Sequence, residues 1–445
     1  ALPMPEIVSG QIYRAPRSAS EVLLCKLYEE LTGASQVGLD DGFFALGGHS
    51  LLAMRLVAKV REQTGLELPL RALFEHPTVE ALGLILGGVQ VTTRDAIIPG
   101  EGGQGDNRVL SYGQLRMWTL DRIEGGTASH NMPFAMRLGG SLSVPALELA
   151  LQDVVARHEP FRTIIVDDDG NPVGKLRPVE HSETILVRED LSHLSRQLKD
   201  GLIEQRISEE SSRLFDMSRD LLLRAKLLQL EQDDFILILV IHHGAGDGVS
   251  LPIFVRDLGQ AYSARLNACA STFVELPVTY ADHASWQRRI LEESGEIERQ
   301  LVYYRESLAQ APEVLTLPTD FVRRADRNRI ASYVPIEISE KTSKSVEELA
   351  LRYGTTPFAV LMGMFALLLG RLARQNSVVL GVPVAGRNTS DAEDLVGFFV
   401  NTLPLHLELD DVLTGVDLIE KSRQVSLDAL SHQEAPFERL VEELT

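Results

Sequence analysis

The chain of 445 residues is 44% hydrophobic, longer than one ordinary domain and rich enough in apolar residues for two or three cores. A formal net charge of −20, with no Lys/Arg block interleaved with aromatics, opposes binding to a phosphate backbone and argues against nucleic acid as a partner. There is no uncharged apolar run of about 18 residues, the start "ALPMPEIVSG" lacks basic and apolar segments, and Cys25 and Cys269 fall in segments that read as separate domains, so we expect a cytoplasmic protein without membrane insertion or a disulfide framework.

Residues 18 to 33, "SASEVLLCKLYEELTG", begin with Ser18 and Glu21 as a capping box and end at Gly33. Leu24, Leu27, Tyr28 and Leu31 share one stripe, which predicts a short amphipathic helix. A Gly/Asp-containing loop leads to a second helix from Ser50, with Leu52, Leu56 and Val60 on one face and Gly65 after it. "LPLRALFEH" and "TVEALGLIL" add two short apolar helices separated by Pro77, completing a bundle of about four helices in roughly 70 residues. From Gly87 to about Val109, Gly, Pro and polar residues without a sustained period predict an interdomain linker.

Beyond the linker, strand-like and helical patterns alternate. "LLLRAKLLQL" and "FILILVIHH" flank the polar turn "EQDD", and the second run is apolar enough for burial on both faces. "SLPIFVRDLGQAY" places Leu251, Phe254, Val255, Leu258 and Tyr262 at helical spacing. A polar, helical-looking stretch from about Glu293 to Arg329 separates this from a second α/β half, which contains the apolar helix "TPFAVLMGMFALLLGRL" and the strand "SVVLGVPV".

Ser50 stands in "FFALGGHSLL". Its local pattern suits a helix N-cap, the commonest role of a serine ahead of an amphipathic helix. A nucleophile is the other reading, against which stand the lack of G-x-S-x-G and the little room a small bundle offers for a triad. The longer run "DDGFFALGGHSLLAMRLVAKVREQTGLELPLRALFEHPTVEAL" resembles the peptidyl carrier protein of nonribosomal peptide synthetases over about residues 18 to 86. That resemblance implies that Ser50 carries covalent 4′-phosphopantetheine, attached by a phosphopantetheinyl transferase. A helix N-terminus suits the phosphate of such a group. "ALPMP" is similar to the tail that joins an upstream adenylation domain to its carrier, and with no adenylation core in the chain, amino-acid activation and ATP use are not expected.

"IHHGAGDGVS", residues 241 to 250, lies between the buried strand and the following helix. A bland account makes the histidines strand-end residues satisfied by carbonyls, "GAGDG" a flexible turn and Ser250 a cap. The chemical account is that a thioester attacked by an amine needs a proton acceptor near neutral pH and accommodation of an oxyanion. The run resembles the core motif of condensation domains. "LSYGQLRMW" (110 to 118), "ARHEPFRT" (156 to 163), "YADHASW" (280 to 286), "VGFFVNTLPL" (396 to 405) and "HQEAPFE" (432 to 438) are similar to further motifs of that family, in its order.

The resemblance implies a two-lobed α/β fold like chloramphenicol acetyltransferase, V-shaped with a tunnel at the junction, following the all-α four-helix carrier. It makes His243 the main catalytic candidate, either as base or in positioning the attacking amine. His242 and Asp247 are implied to be structural, with Arg387 in "VPVAGR" pairing with Asp247. Gly248 is implied to allow close approach of substrate and to offer an N–H to the oxyanion.

Gly244, Ala245 and Gly246 are smaller than the family's usual residues, which suggests a wider tunnel or looser loop, and Gly113 and His283 also depart from it. The chain stops at Thr445 before the last family motif, so we expect an incomplete C-terminal part. The expected divisions are 1–17, linker tail; 18–86, carrier; 87–109, linker; 110–290 and 291–445, the two condensation lobes. The expected partners are an aminoacyl or peptidyl thioester, with an L-configured or dual-type donor, and a downstream acceptor carrier. No metal is expected. The competing readings are a noncatalytic docking module that recruits a tailoring enzyme and an acyltransferase using a soluble acyl thioester.

Overall fold

The computed structural model describes residues 12–48, 50–66, 68–88, 96–178, 184–321, 334–409 and 414–444, without the side chains of Ser50 and Leu51. The "ALPMP" tail, His49 and linker residues 89–95 lie outside the described residues. The chain forms two compact units. One comprises Ala1–Asp95, Ile297–Ser390 and Asn401–Thr445, and the other Ala96–Glu296 and Asp391–Val400.

The first unit opens with four helices, α1 (Ala19–Thr32), α2 (Ser50–Thr64), α3 (Leu70–Glu75) and α4 (Val79–Gly88). The capping box at Ser18 and Glu21 is present, and Gly33 ends α1 at φ 77°, where its N–H reaches the Glu29 carbonyl. Leu24, Tyr28, Phe43, Leu56, Val60, Leu73 and Leu82 form the bundle core. At Gly48 an added Cβ would collide with the Phe43 ring and carbonyl, so glycine lets the chain pass over Phe43 on its way into α2.

The second unit holds β1 (Asn107–Arg108), α5 (Tyr112–Glu124), β2 (Asn131–Gly139), α6 (Val144–Arg157), β3 (Thr163–Asp168), β4 (Asn171–Leu176), β5 (Leu186–Asp190), α7 (Arg196–Ser212), β6 (Leu223–Glu231), β7 (Asp234–His242), α8 (Ser250–Leu266) and α9 (Tyr280–Glu293). Its main sheet runs β2-β7-β6-β5, antiparallel except for the parallel β5–β6 pair, and a smaller sheet runs β1-β4-β3. Strand β7 is buried almost throughout, as its unbroken apolar run predicts. Leu147, Leu151 and Val154 of α6 and Phe254 and Leu258 of α8 belong to the same core.

The later part of the predicted linker is an ordered segment of this unit. Ile97 is buried with Val278, Tyr280 and Trp286, and the Gly102 N–H donates to Asp282 Oδ1 at 2.7 Å. Its last residues form β1, paired with β4.

The remainder of the first unit comprises α10 (Glu296–Ser307), α11 (Glu340–Arg352), α12 (Pro357–Ala373), β8 (Ser377–Val384), β9 (Asn401–Glu408), α13 (Gly415–Ser431) and α14 (Phe437–Leu444). The stretch expected to be helical from Glu293 to Arg329 is helical chiefly in α10. Pro312 and Pro318 interrupt the chain beyond that helix, and residues 322–329 lie outside the described residues. Antiparallel β8 and β9 bury Val378, Leu403, Leu405 and Leu407 against Met362 and Ala366 of α12 and Leu418 of α13. Within this unit α3 also meets α13: Leu427 joins the core of the four-helix bundle, and Arg71 lies 3.3 Å from Gln424 Oε1 and 3.7 Å from Asp428 Oδ1. No single described helix is long and apolar enough to cross a membrane.

Candidate functional site

Strand β7 delivers His242 in register with Asn131 of β2, after which one 3-10 turn, His243–Ala245, carries the chain away from the sheet. The His242 ring is 1% exposed, and its Nδ1 accepts the Gly244 N–H at 3.1 Å. In the neutral ring the proton therefore sits on Nε2. Burial, with His130, His243 and Arg224 adding to it, pushes His242 down to about 3, so this imidazole stays uncharged at neutral pH.

His243 is only half-buried. Its Nδ1 lies 2.9 Å from the Gly246 carbonyl. A carbonyl can only accept, so in the neutral ring Nδ1 carries the hydrogen and Nε2 keeps its lone pair. The Phe398 ring meets His243 nearly edge-on, with centroids 4.6 Å apart. Two neighbours fix that arrangement. Gln114 Nε2 donates to the Gly244 carbonyl at 3.3 Å, and the Tyr280 hydroxyl donates to the Phe398 carbonyl at 2.7 Å.

Asp247 is buried, and its carboxylate ties the loop to another part of the unit. Oδ1 accepts the Ser250 N–H at 2.9 Å and lies 2.8 Å from the Ser250 hydroxyl, while Oδ2 accepts the Phe399 N–H at 3.1 Å. Ser250, a cap in the bland account of this run, is the first residue of α8. Asp247 satisfies its N–H, as a short acidic side chain at a helix start does well. The Gly397 N–H donates back to Ser250 Oγ at 3.2 Å.

The small residues of the loop are packed in closely. Gly244, Ala245 and Gly246 are buried, and a Cβ at Gly244 would press on Met217 and His242. Gly248 is exposed, with open space where a side chain would be.

The motifs at 110–118, 242–250, 280–286 and 396–400 thus converge around His243. The one at 156–163 supports α8 from further along, with His158 Nε2 and Arg157 Nε each 2.9 Å from Asp257 Oδ2. Gln114, Phe398 and His130 are site neighbours that the residue patterns did not single out. Gln114 and Phe398 lay inside quoted motifs, whereas His130 sits in "TASHNMPF", which carried no signal beyond the start of a strand.

Arg387 follows β8 in the other unit, as does the 432–438 motif, where Asn401 Nδ2 holds the Gln433 and Ala435 carbonyls at 2.9 and 2.7 Å. Ser50 is the first residue of the 15-residue helix α2, whose first turn contains no acidic residue. A hydroxyl residue at a helix start without opposing charge fits a phosphate-linked group. Among the described residues no cluster of His, Cys, Asp and Glu is arranged to hold a metal.

Comparison with known proteins places both segments. Residues 105–445 match the family described as Condensation domain, and residues 22–85 match Phosphopantetheine attachment site. The whole chain is 37% identical to part of a linear gramicidin synthase of Brevibacillus parabrevis and 37% identical to part of the dimodular nonribosomal peptide synthase of Bacillus subtilis (strain 168). It spans 9% and 18% of those two proteins. Among solved structures, the X-domain in its complex with OxyB from teicoplanin biosynthesis superposes with a TM-score of 0.70 at 28% identity, over 79% of this chain and 76% of that one. These matches bear out the expected fold class, a helical carrier followed by an α/β domain of the chloramphenicol acetyltransferase kind.

Proposed function

The chain belongs to the condensation-domain family, with a phosphopantetheine attachment domain ahead of it, and on that premise we propose that it performs a peptide-bond-forming step of nonribosomal peptide synthesis. Ser50 is the proposed attachment residue, and the group it bears supplies a thiol on which an aminoacyl or peptidyl donor is held as a thioester. Tethering gives the donor an effective concentration in the millimolar range, roughly what a weakly held substrate needs. The acceptor is an amine presented by a downstream carrier. A phosphopantetheinyl transferase and an upstream adenylation domain are the other proposed partners, and the cytoplasm the proposed setting.

The observation that carries this reading is the hydrogen bond from His243 Nδ1 to the Gly246 carbonyl, which leaves Nε2 as a proton acceptor in a half-buried ring. As the C–N bond forms, the amine nitrogen becomes positively charged, and its proton passes to Nε2. The C–S bond then breaks, and the same proton neutralises the departing sulfur, so the ring returns to its starting state. His242, held neutral, adds no opposing charge. Asp247 holds the loop through the Ser250 and Phe399 N–H groups rather than by touching substrate. Gly248, exposed and without a side chain, is proposed to offer its N–H to the oxyanion.

The test has two stages. Incubation with a phosphopantetheinyl transferase and coenzyme A is expected to add one arm, seen by intact mass and absent in Ser50→Ala. Donor-loaded protein with a loaded acceptor carrier is then expected to yield an amide, and His243→Ala to slow it by about 100-fold or more. Unchanged turnover in that variant overturns the assignment. Activity of Ser50→Ala with soluble coenzyme A thioesters would instead favour a free-standing acyltransferase.

The likeness to the X-domain, solved in a complex with OxyB, favours a second reading as a recruitment module. Capture of a tailoring enzyme by a chain inert in both amide assays would support it. The Nδ1-protonated tautomer fixed at His243 favours catalysis, because a scaffold has no use for a positioned lone pair.

A further inference from the structure

Tyr280 opens α9, is buried, and touches three consecutive residues of the segment that carries Phe398. A Cβ added at Gly397 would strike the Tyr280 ring, so that ring lies directly against the Gly397 main chain. Its hydroxyl is 2.7 Å from the Phe398 carbonyl, and its ring meets the Phe399 ring edge-on with centroids 4.9 Å apart. Asp247 and Ser250 hold the same segment through the Phe399 and Gly397 N–H groups. The His243 main chain is pinned separately, its N–H donating to the His130 carbonyl at 2.8 Å and its ring Nδ1 to the Gly246 carbonyl. What remains to fix the imidazole is the Phe398 ring packed against it.

The Tyr280 hydroxyl also lies 2.8 Å from Ser111 Oγ, and this gives the hydrogens one order. A carbonyl only accepts, so the phenolic hydrogen goes to Phe398 and the Ser111 hydroxyl donates to the tyrosine oxygen. Ser111 Oγ in turn accepts the Gln114 N–H at 3.1 Å. Gln114 Oε1 accepts the Ser111 N–H at 3.1 Å, which turns the amide so that Nε2 faces the Gly244 carbonyl. A buried chain of hydrogen bonds therefore joins the Phe398 carbonyl to the Gly244 carbonyl, one on each segment that meets His243. With each of these groups satisfied, such a chain stiffens what it joins.

We propose that Tyr280 is a positioning residue of the acyl-transfer site, its hydroxyl setting where the Phe398 ring stands and, through that ring, the direction of His243 Nε2. This role rests on the reading of His243 given above. Phenylalanine would fill the same space, but only a hydroxyl reaches both the Phe398 carbonyl and Ser111. Its loss leaves a buried carbonyl without its donor and a buried hydroxyl without its acceptor, so residues 397–399 shift towards other partners and carry the Phe398 ring with them.

The experiment compares wild type with Tyr280→Phe in the full chain labelled with carbon-13 at histidine Cε1, the His243 resonance being assigned by its loss in His243→Ala. The proton on that carbon feels the ring current of Phe398, so its shift reports how the two rings stand. It is expected to move by more than its linewidth, while the His242 resonance, whose ring meets Phe215 instead, stays in place. In amide formation kcat should fall by about tenfold or more, with KM for the loaded acceptor carrier within about twofold of wild type, because placement of the lone pair acts on the transition state. An unmoved His243 resonance, or a loss confined to KM, overturns the proposal. Movement of both histidine resonances together also overturns it, assigning Tyr280 to the general packing of the unit.

Should Tyr280→Phe not fold, Ser111→Ala decides, since it removes the donor to the tyrosine oxygen. The His243 resonance should then move by a smaller amount, and a resonance that stays in place refutes the proposal. Where both variants fold, the double variant should displace it little further than Tyr280→Phe alone, because the two hydroxyls act in series. Fully additive displacements would refute the chain. If the wild-type chain makes no amide, a displaced resonance still upholds the placement of His243 by Tyr280, and it is the acyl-transfer reading of His243 that fails.

Discussion

The buried imidazole of His242 has a consequence for stability as well as for charge. Its folded-state pKa of about 3 lies below the ordinary histidine value of 6.5, so the unfolded chain binds this proton more readily. The resulting stabilisation is fully present above about pH 6.5 and is lost as pH falls towards 3, amounting to about 4 to 5 kcal/mol at most. His158, also buried and also shifted down, contributes in the same sense and must be separated from it. A His242→Asn variant, compared with wild type by urea unfolding from pH 7.5 to 4.5, should show a shallower loss of stability on acidification. Equal slopes would mean that His242 takes up its proton as readily in the folded chain as in the unfolded one. The variant should be less stable at neutral pH, because Nδ1 no longer meets the Gly244 N–H in the same packed position.

At the level of elements, the site depends on how closely α5 approaches residues 396–400. A Cβ at Gly113 would run into the Phe398 ring, and Phe398 is the ring against His243. Gly113→Ala is therefore expected to displace Phe398, costing about 1 to 3 kcal/mol in urea unfolding and at least tenfold in amide formation. Adding Phe398→Leu should recover part of the stability but not the rate, separating the clash from the loss of the ring.

This dependence was not readable from local pattern. The capping box at Ser18 and Glu21, strand β7 and the helix from Ser50 were legible because each signal lies within one element. The meeting of Gly113 with Phe398 joins segments far apart in sequence, and nothing in either segment's own pattern links them. Composition misled at residues 96–106, where glycine suggested a flexible linker. An added Cβ at Gly102 would collide with the Ala281–Asp282 peptide, so this glycine serves close packing rather than freedom. His130 was invisible for the opposite reason, since a single histidine before a strand has no periodicity to reveal it.

Across the whole molecule, the proposed delivery of substrate requires a carrier that is held and released, so the strength of its seat matters. Within the first unit the seat joins α2 and α3 to the later part: Arg61 donates to the Asn388 carbonyl, Gln433 Nε2 lies 3.4 Å from Met54 Sδ, and Leu430 packs on the bundle core. Leu427 of α13 is 3% exposed among carrier residues, and Arg71 of α3 faces Gln424 and Asp428. Arg423 on the same helix acts electrostatically on Glu75, so the facing charges on α3 and α13 are complementary. A buried leucine contributes roughly 1.5 to 3 kcal/mol, and the exposed ion pair adds little to that.

Two substitutions test this. Leu427→Asp places a charge among apolar carrier residues and should raise amide hydrogen exchange in both α3 and α13, while α1 and α4 keep their protection. Arg71→Glu should loosen the seat less, and pairing it with Asp428→Arg should restore part of the protection, because the exchanged charges again attract. Restoration only in the double variant would assign the contact to that ion pair. If Leu427→Asp leaves exchange in α3 unchanged, the carrier is not held by α13 in solution, and delivery of the donor must begin from another position.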